Sequence, residues 1–318
     1  MKASGLKWAY ACAVMNAMII GFSFLFMKVA LELADPVDTL AFRFAASFAV
    51  MSIPVLSGRV RLNYRGKQVR RLLPLAALYP LGFFTLQAYG LKFATSGEGG
   101  ILFAFTPVLT VLLAFLFLKE TTTLLQKLSI GLSVGGVLYI FILKGSRIEG
   151  TDMTGILLLF LSCLAVAGYN VLARRLVKQF SPAEMTYVML GIACASFLAV
   201  SLVRHASAGT VGQWLAPLAS GTFVASVLYL GILSTLVTAL SSNYALSKLE
   251  ASQMGVFSNL STIVSIAAGA LVLGEQVSLY HITGSALIIA GVMGTNLLGA
   301  KPKREAPRRV QAGLSESK

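Results

Sequence analysis

Long apolar blocks of roughly twenty residues alternate along the chain with short segments that hold nearly all of its charge. About 20 apolar residues suffice to cross a bilayer core, whereas a buried helix of a soluble protein is usually shorter and keeps one polar face. The pattern predicts spans over 8–31, 38–56, 72–91, 96–118 and 124–143, and again over 154–174, 183–203, 222–246, 251–273 and 279–298. The expected fold class is all-α integral membrane, with ten transmembrane helices. Pro36, Pro182 and Pro217 fall in connections, where a missing backbone donor matters least. The segment 299–318 is polar and basic, and predicts a disordered cytoplasmic tail. The run from Trp8 to Leu31 is too long for a signal-peptide core and no small-x-small site follows it, so it reads as the first span.

Charge adds an orientation. Only 12% of residues are charged, half the share of about 25% in soluble domains. The net charge of +14 would suit nucleic acid, but its placement does not. Six basic residues lie between Arg59 and Arg71 and five between Lys301 and Arg309, each cluster flanking an apolar block. With ten spans both termini share a side, and 20 of the 26 Lys and Arg residues fall there. Five fall on the other side, and Arg43 lies within a span. The bias predicts both termini in the cytoplasm and leaves no role for nucleic acid. Trp8 and Trp214 then sit near opposite interfaces. Cys12, Cys163 and Cys194 lie inside apolar blocks, as packing thiols rather than a disulfide framework. The two histidines, His205 and His281, are far apart, and no metal site or cofactor motif is readable.

The halves resemble each other. Under a shift of 155 residues Tyr89 falls on Tyr244, Leu91 on Leu246, Glu120 on Glu275 and Gly136-Val137 on Gly291-Val292. Under a shift of 147, Gly21-Phe22-Ser23 matches Gly168-Tyr169-Asn170 and Lys28 falls on Arg175, while Pro36 and Pro182 begin equivalent helices. Five spans per repeat is an odd number, so the repeats enter the membrane from opposite sides. Two inverted five-helix repeats, 8–143 and 154–298, would surround a central cavity with a binding site near the midplane.

The motif Gly21-Phe22-Ser23-Phe24-Leu25-Phe26-Met27-Lys28, with Ala41-Phe42-Arg43, Thr106-Pro107-Val108 and Leu118-Lys119-Glu120, resembles the EamA-type branch of the drug/metabolite transporter superfamily. Tyr244-Ala245-Leu246 and Leu273-Gly274-Glu275 add to the likeness, which spans roughly 8–298. The resemblance implies a five-plus-five transporter in which the first four helices of each half surround the cavity and the fifth packs outside. Family substrates include amino acids and nucleotide sugars. The chain departs from its own repeat where Pro107 meets Thr262 and Arg43 meets Met189.

Polar residues within spans are costly, so those facing a cavity are candidate contacts. Asn16 and Ser23 share a face of the first span, and Tyr169 and Asn170 lie on its repeat mate. Gln87 and Tyr89 lie on the third span, Ser234 and Thr238 on the eighth, and Ser258, Asn259 and Thr262 on the ninth. Small hydroxyls also serve as helix–helix glue. On one reading Lys28, Arg43 and Glu98 form an outer gate, with Glu98 exchanging between cationic partners and a proton and so coupling transport to protons. On the other, Thr95-Ser96-Gly97-Glu98 is a capping box for the fourth helix and Lys28 snorkels to the interface. Arg175 is a further gating candidate at the inner end of the sixth span, and Pro107 a hinge candidate. Glu275 should favour the start of the tenth helix through its dipole, and Gly131-x-x-x-Gly135 should allow close packing within the monomer.

These features point to a secondary transporter in a cell (inner) membrane that exports amino acids or similar small polar metabolites. An exchanger of nucleotide sugars or organic phosphates is the alternative suggested by Lys28, Arg43 and Arg175, and a membrane scaffold or sensor is the alternative of another class. There is no GxxxxGK[ST] motif for ATP drive. Nor is there an HExxH motif, a GxSG motif or an aspartyl dyad within a span, so no enzyme is expected. Hydroxyls and amides accept many ligands, so the cargo, the coupling ion and the oligomeric state stay open at this level.

Overall fold

The computed structural model describes residues 3–118, 123–145, 150–176, 179–238, 241, 245 and 251–297, and among them every regular element is helical. The side chains of 3–6, 118, 141, 144–145, 150–152, 174–176, 251–258 and 295–297 are outside that description. The first half comprises α1 (Ala3–Leu33), α2 (Pro36–Leu56), α3 (Val69–Phe93), α4 (Ser96–Phe117) and α5 (Leu124–Gly145). The second comprises α6 (Gly150–Leu176), α7 (Pro182–Ser207), α8 (Gly221–Val237), α9 (Ala251–Val272) and α10 (Leu279–Leu297).

Helix starts follow local chemistry. Pro36 and Pro182 open α2 and α7, where a missing N–H costs nothing because first-turn donors lack helical partners anyway. Asp35 caps α2 by accepting from Val37 N, and Ser181 and Glu184 form a reciprocal capping box at α7. α8 is entered through tight turns over Val211–Ala219, and the two segments meet at 85°.

Among the described residues six helices are long and apolar enough to cross a membrane, and the bent pair ending in α8 would make a seventh. Leu124–Ile140, Asn259–Val272 and Leu279–Gly294 are shorter apolar helices. The burial pattern is that of a protein in lipid. Leu271 is 86% exposed and Leu279 79%, while Asn16, Asp38, Arg43, Gln87 and Glu98 are buried. An apolar exterior around a buried polar interior suits hydrocarbon better than water.

Close helix approaches occur at glycines. A side chain on Gly136 would meet the Gly284 carbonyl at 3.0 Å, fixing α5 against α10. One on Gly155 would meet the Phe93 backbone at 2.8 Å, fixing α6 against the end of α3. Gly131 and Gly135, expected to make such contacts, instead face open space. Gly136, one residue further round the helix, occupies the packing face in their place.

Two helices are interrupted where they face the centre. In α3 Tyr79 has extended backbone, with φ −146° and ψ 118°, within a wide turn over Ala77–Gly82 that contains Pro80. In α8 a wide-turned stretch runs over Tyr229–Val237. α4 is nicked at Phe105, so Pro107 sits at the second position of the continuing helix, where its absent donor is not missed.

Candidate functional site

A cavity of about 510 Å³ lies between α1, α2, α3, α4, α6, α7 and α8. That volume is ample for a small metabolite, since ligand pockets commonly span about 300–1,000 Å³. α5 and α10 pack along one another and contribute nothing to its lining.

Of the residues singled out from sequence, Ser23, Arg43, Gln87, Tyr169, Asn170, Ser234 and Thr238 line this cavity. Their hydroxyls are partly committed: Ser23 Oγ donates to the Ile20 carbonyl at 2.6 Å and Thr238 Oγ1 to that of Ser234 at 2.8 Å. The donor proton is then spent on the helix and the oxygen lone pairs remain as acceptors. Asn170 Nδ2 reaches Thr110 Oγ1 at 3.4 Å. Tyr79, Thr186 and Thr235 also line the cavity, with an aromatic wall of Phe24, Phe44, Phe83, Phe84 and Phe103. Sequence reasoning passed over these because a phenylalanine in an apolar run carries no polar signal; Pro80, beside Tyr79, was the available clue.

Arg43 is 2% exposed. Its guanidinium lies over the Phe84 ring at 4.2 Å and near that of Phe44 at 5.8 Å. Among the described residues it has no hydrogen-bond or ion-pair partner, and its Nε is an unmet buried donor. Its backbone is held firmly. Ser47 Oγ donates to the carbonyls of both Arg43 and Gly231, and a side chain on Gly231 would meet the Arg43 carbonyl at 2.8 Å.

Other candidates lie elsewhere. Glu98 does not meet Arg43: it completes the capping box with Thr95, and its Oε1 lies 3.3 Å from His281 Nε2. Ser278 N donates to His281 Nδ1, so Nε2 carries the proton and donates to Glu98. Lys28 Nζ donates to the Ala94 carbonyl, tying the end of α1 to the α3–α4 turn. The three groups of the expected outer gate are therefore not assembled: Lys28 and Glu98 each have a nearer partner, and Arg43 faces the cavity instead. Thr262 Oγ1 donates to the Gly100 carbonyl at 3.1 Å and Ser265 Oγ to that of Ser96 at 2.7 Å. The hydroxyl stripe of α9 thus knits to α4 rather than facing the cavity. Asn16 and Asn259 are buried outside the lining, Tyr89 and Pro107 are half-buried outside it, and Arg175 and Ser258 fall outside the described side chains.

Glu275, expected to serve its own helix, caps α4 instead, accepting from Ser96 N at 2.7 Å, Ser96 Oγ at 2.8 Å and Gly97 N at 3.2 Å. A carboxylate at a helix N-terminus is favoured by the dipole whichever helix supplies it. Glu120, its repeat mate, lies outside the described residues.

The two ends of the α2–α7 interface carry polar clusters. At one end His205 Nε2 lies 3.1 Å from Asp38 Oδ2, Ser201 Oγ donates to Asp38 Oδ1 at 2.5 Å, and Arg204 pairs with Asp35 at 2.5 Å. Burial pushes the Asp35 carboxyl up, but the Arg204 hydrogen bond and charge, the Val37 N–H and the charge of Lys92 together hold it below the usual aspartate range. At the other end Glu184 accepts from Asn63 N at 2.9 Å and pairs with Lys67 at 2.5 Å. Among the described residues no three His, Cys, Asp or Glu side chains gather to hold a metal ion.

An apolar exterior around a polar and aromatic cavity defines a multi-pass membrane protein with a candidate small-molecule site. A model of the EamA-like transporter family matches residues 7–142 and again 153–297, and the chain belongs to that family. It is 46% identical over 297 residues to "Uncharacterized transporter YcxC" of Bacillus subtilis (strain 168), covering 93% of this chain and 95% of that protein. It is 28% identical over 262 residues to "Probable terminal-alkyne amino-acid exporter" of Streptantibioticus cattleyicolor, covering 81% and 84% of the two chains. A solved crystal structure superposes with a TM-score of 0.57 at 18% identity over 96% of this chain and 100% of that one, a likeness of fold alone.

Proposed function

We propose that this transporter exports amino acids or similar small polar metabolites by alternating access across a bacterial inner membrane. Ten spans in two inverted repeats, 8–143 and 154–298, would carry it, with both termini in the cytoplasm. The observation that supports this most is a cavity lined by helices of both halves. Helix pairing fits an internal twofold: α2 packs on α7, α4 on α9 and α5 on α10, while α1 against α9 is mirrored by α6 against α4. The 155-residue shift also carries the wide turn Ala77–Gly82 of α3 onto the Tyr229–Val237 stretch of α8. A fold related to itself in this way has two nearly equivalent states, each open to one side. The exporter direction and the amino-acid cargo rest on the named relative in Streptantibioticus cattleyicolor. Proton coupling through Glu98 would have to act by way of His281, its neighbour in the fold.

Counterflow in liposomes with purified protein and a labelled amino-acid panel tests the reading. Saturable exchange, weakened by Gln87→Ala, supports it. Folded protein that exchanges none of the panel but moves phosphorylated sugars would replace it with the organic-phosphate reading, and no flux of any class would favour a scaffold.

A further inference from the structure

We infer that the cavity selects its cargo by one carboxylate, received by Arg43, with an apolar or aromatic body against the phenylalanine wall, and that an ammonium group on the cargo is dispensable. The inference rests on the transport reading and names the substrate class of the same cavity.

Among the described residues that line the cavity, Arg43 is the one charged group; no aspartate or glutamate faces it. A buried charge is costly unless it is paired, yet this guanidinium is 2% exposed and its Nε has no partner. The ring faces of Phe84 and Phe44 offset part of that cost. A guanidinium that lines the cavity with no hydrogen-bond or ion-pair partner among the described residues offers the planar fork that fits a carboxylate through two parallel hydrogen bonds. The Ser47 bridge between the Arg43 and Gly231 carbonyls fixes the backbone from which the fork projects.

The rest of the lining sets the remaining terms. Nothing anionic awaits an ammonium group; the available acceptors are neutral oxygens such as Ser23 Oγ and Thr238 Oγ1, whose protons go to their own helices. Those acceptors can hold an ammonium but lose little when none arrives. A second negative charge on the cargo would meet no cation and would have to be desolvated against aromatic rings. The cavity therefore fits a monocarboxylate and disfavours dicarboxylates and phosphate esters. Its wall suits a flat or branched apolar body.

Four compounds sharing one phenyl ring separate the terms. Phenylalanine has both charges, 3-phenylpropionate lacks the ammonium, phenylalaninamide lacks the carboxylate, and phenylsuccinate adds a second carboxylate. Binding is read as thermal stabilisation of the purified full chain, and transport as competition with labelled phenylalanine in counterflow. Phenylalanine and 3-phenylpropionate should bind with similar affinity, and the amide and the dicarboxylate at least about tenfold more weakly, the scale of a charge-assisted pair. In Arg43→Gln the acid-over-amide preference should vanish, and in Arg43→Lys it should be reduced. The compound series is read on the unaltered protein, so it holds even where a variant does not fold. Equal binding of acid and amide, or strongest binding by phenylsuccinate, overturns the inference. So does failure of all four to bind; exchange of other amino acids would then still uphold transport. The predicted binding order without flux would keep the site and sink the transport reading.

Discussion

Glu275→Ala tests how the two halves of the fold are joined. The carboxylate accepts from Ser96 N, Ser96 Oγ and Gly97 N at 2.7, 2.8 and 3.2 Å. The two amides belong to the first turn of α4, whose donors have no partner inside the helix. Alanine leaves both amides and the hydroxyl without this acceptor. An unmet buried donor costs about 1–3 kcal/mol, and a lost helix cap about 0.5–2 kcal/mol. Glu275 is half-buried, so water replaces part of what is lost. We expect about 2–3 kcal/mol in all, which for a chain of this size is a fall in Tm of roughly 4–10 °C. Glu275→Gln keeps an acceptor oxygen but loses the charge at the positive end of α4, and should cost about half as much. Thermal unfolding of the detergent-purified protein gives the values, and a double-mutant cycle with Ser96→Ala isolates the contact. A change in Tm within about 1 °C, or strict additivity with Ser96→Ala, would refute the reasoning. Glu275 would then serve its own helix, as its position in the sequence suggests.

Three further outcomes follow from the packing. Thr262→Val and Ser265→Ala should lower Tm and leave apparent affinity in counterflow unchanged, while Thr238→Val and Gln87→Ala should do the reverse. Gly136→Val should abolish folded yield on size-exclusion chromatography, because its side chain would meet the Gly284 carbonyl at 3.0 Å, whereas Gly131→Val and Gly135→Val should be tolerated. Asp35 has a folded-state pKa below its ordinary value of 3.8, so the stability it adds is present above that pH and lost as pH falls through the depressed value. The Tm advantage of the parent over Asp35→Asn should hold steady from neutral pH to about 4 and shrink below it.

Much of this architecture is legible in the sequence because lipid imposes a strict code. Apolar blocks of the right length and the repeated Leu-x-Glu motif do not depend on knowing which face of a helix points where. Site residues do depend on that. Among the amides and aromatic hydroxyls, Gln87, Tyr169 and Asn170 line the cavity, whereas Asn16, Asn259 and Tyr89, which carry the same signal, lie outside its lining. Serine and threonine have the same helical spacing in either role, so the α8 and α9 stripes read alike although one faces the cavity and the other faces α4. Glu98 forms the capping box with Thr95 that its sequence spacing offers, whereas Glu275 reads differently. A carboxylate beside a helix start says that some helix is being capped, and for Glu275 it is a helix 179 residues away. The wide turn at Tyr79 needed Pro80 to be read as a break, which an otherwise unbroken apolar run conceals.

The proposed alternating access requires something to open, and the α2–α7 interface offers contacts that would give way. α2 belongs to one half and α7 to the other, and polar clusters fasten them at both ends. Asp38 meets Ser201 and His205 where α2 begins, and Glu184 meets Asn63 and Lys67 beyond where α2 stops. Under the proposed alternating access, a state open at one end of this interface would break the cluster there and keep the other. Weakening one cluster should then bias the protein toward the state open at that end. A part-exposed ion pair of about 1 kcal/mol shifts a two-state population about fivefold. Thr235 lines the cavity, so Thr235→Cys in a background with Cys12, Cys163 and Cys194 replaced reports access to it. Labelling by a membrane-impermeant maleimide should speed up from the His205 side in Asp38→Asn and from the Glu184 side in Lys67→Ala, each by roughly fivefold. Lys67→Ala spares the Ser181–Glu184 capping box, so loss of the helix start does not confound it. If both variants sped labelling from one side, or neither changed it, the clusters would be fastenings of the fold and the moving contacts would have to lie between other helices.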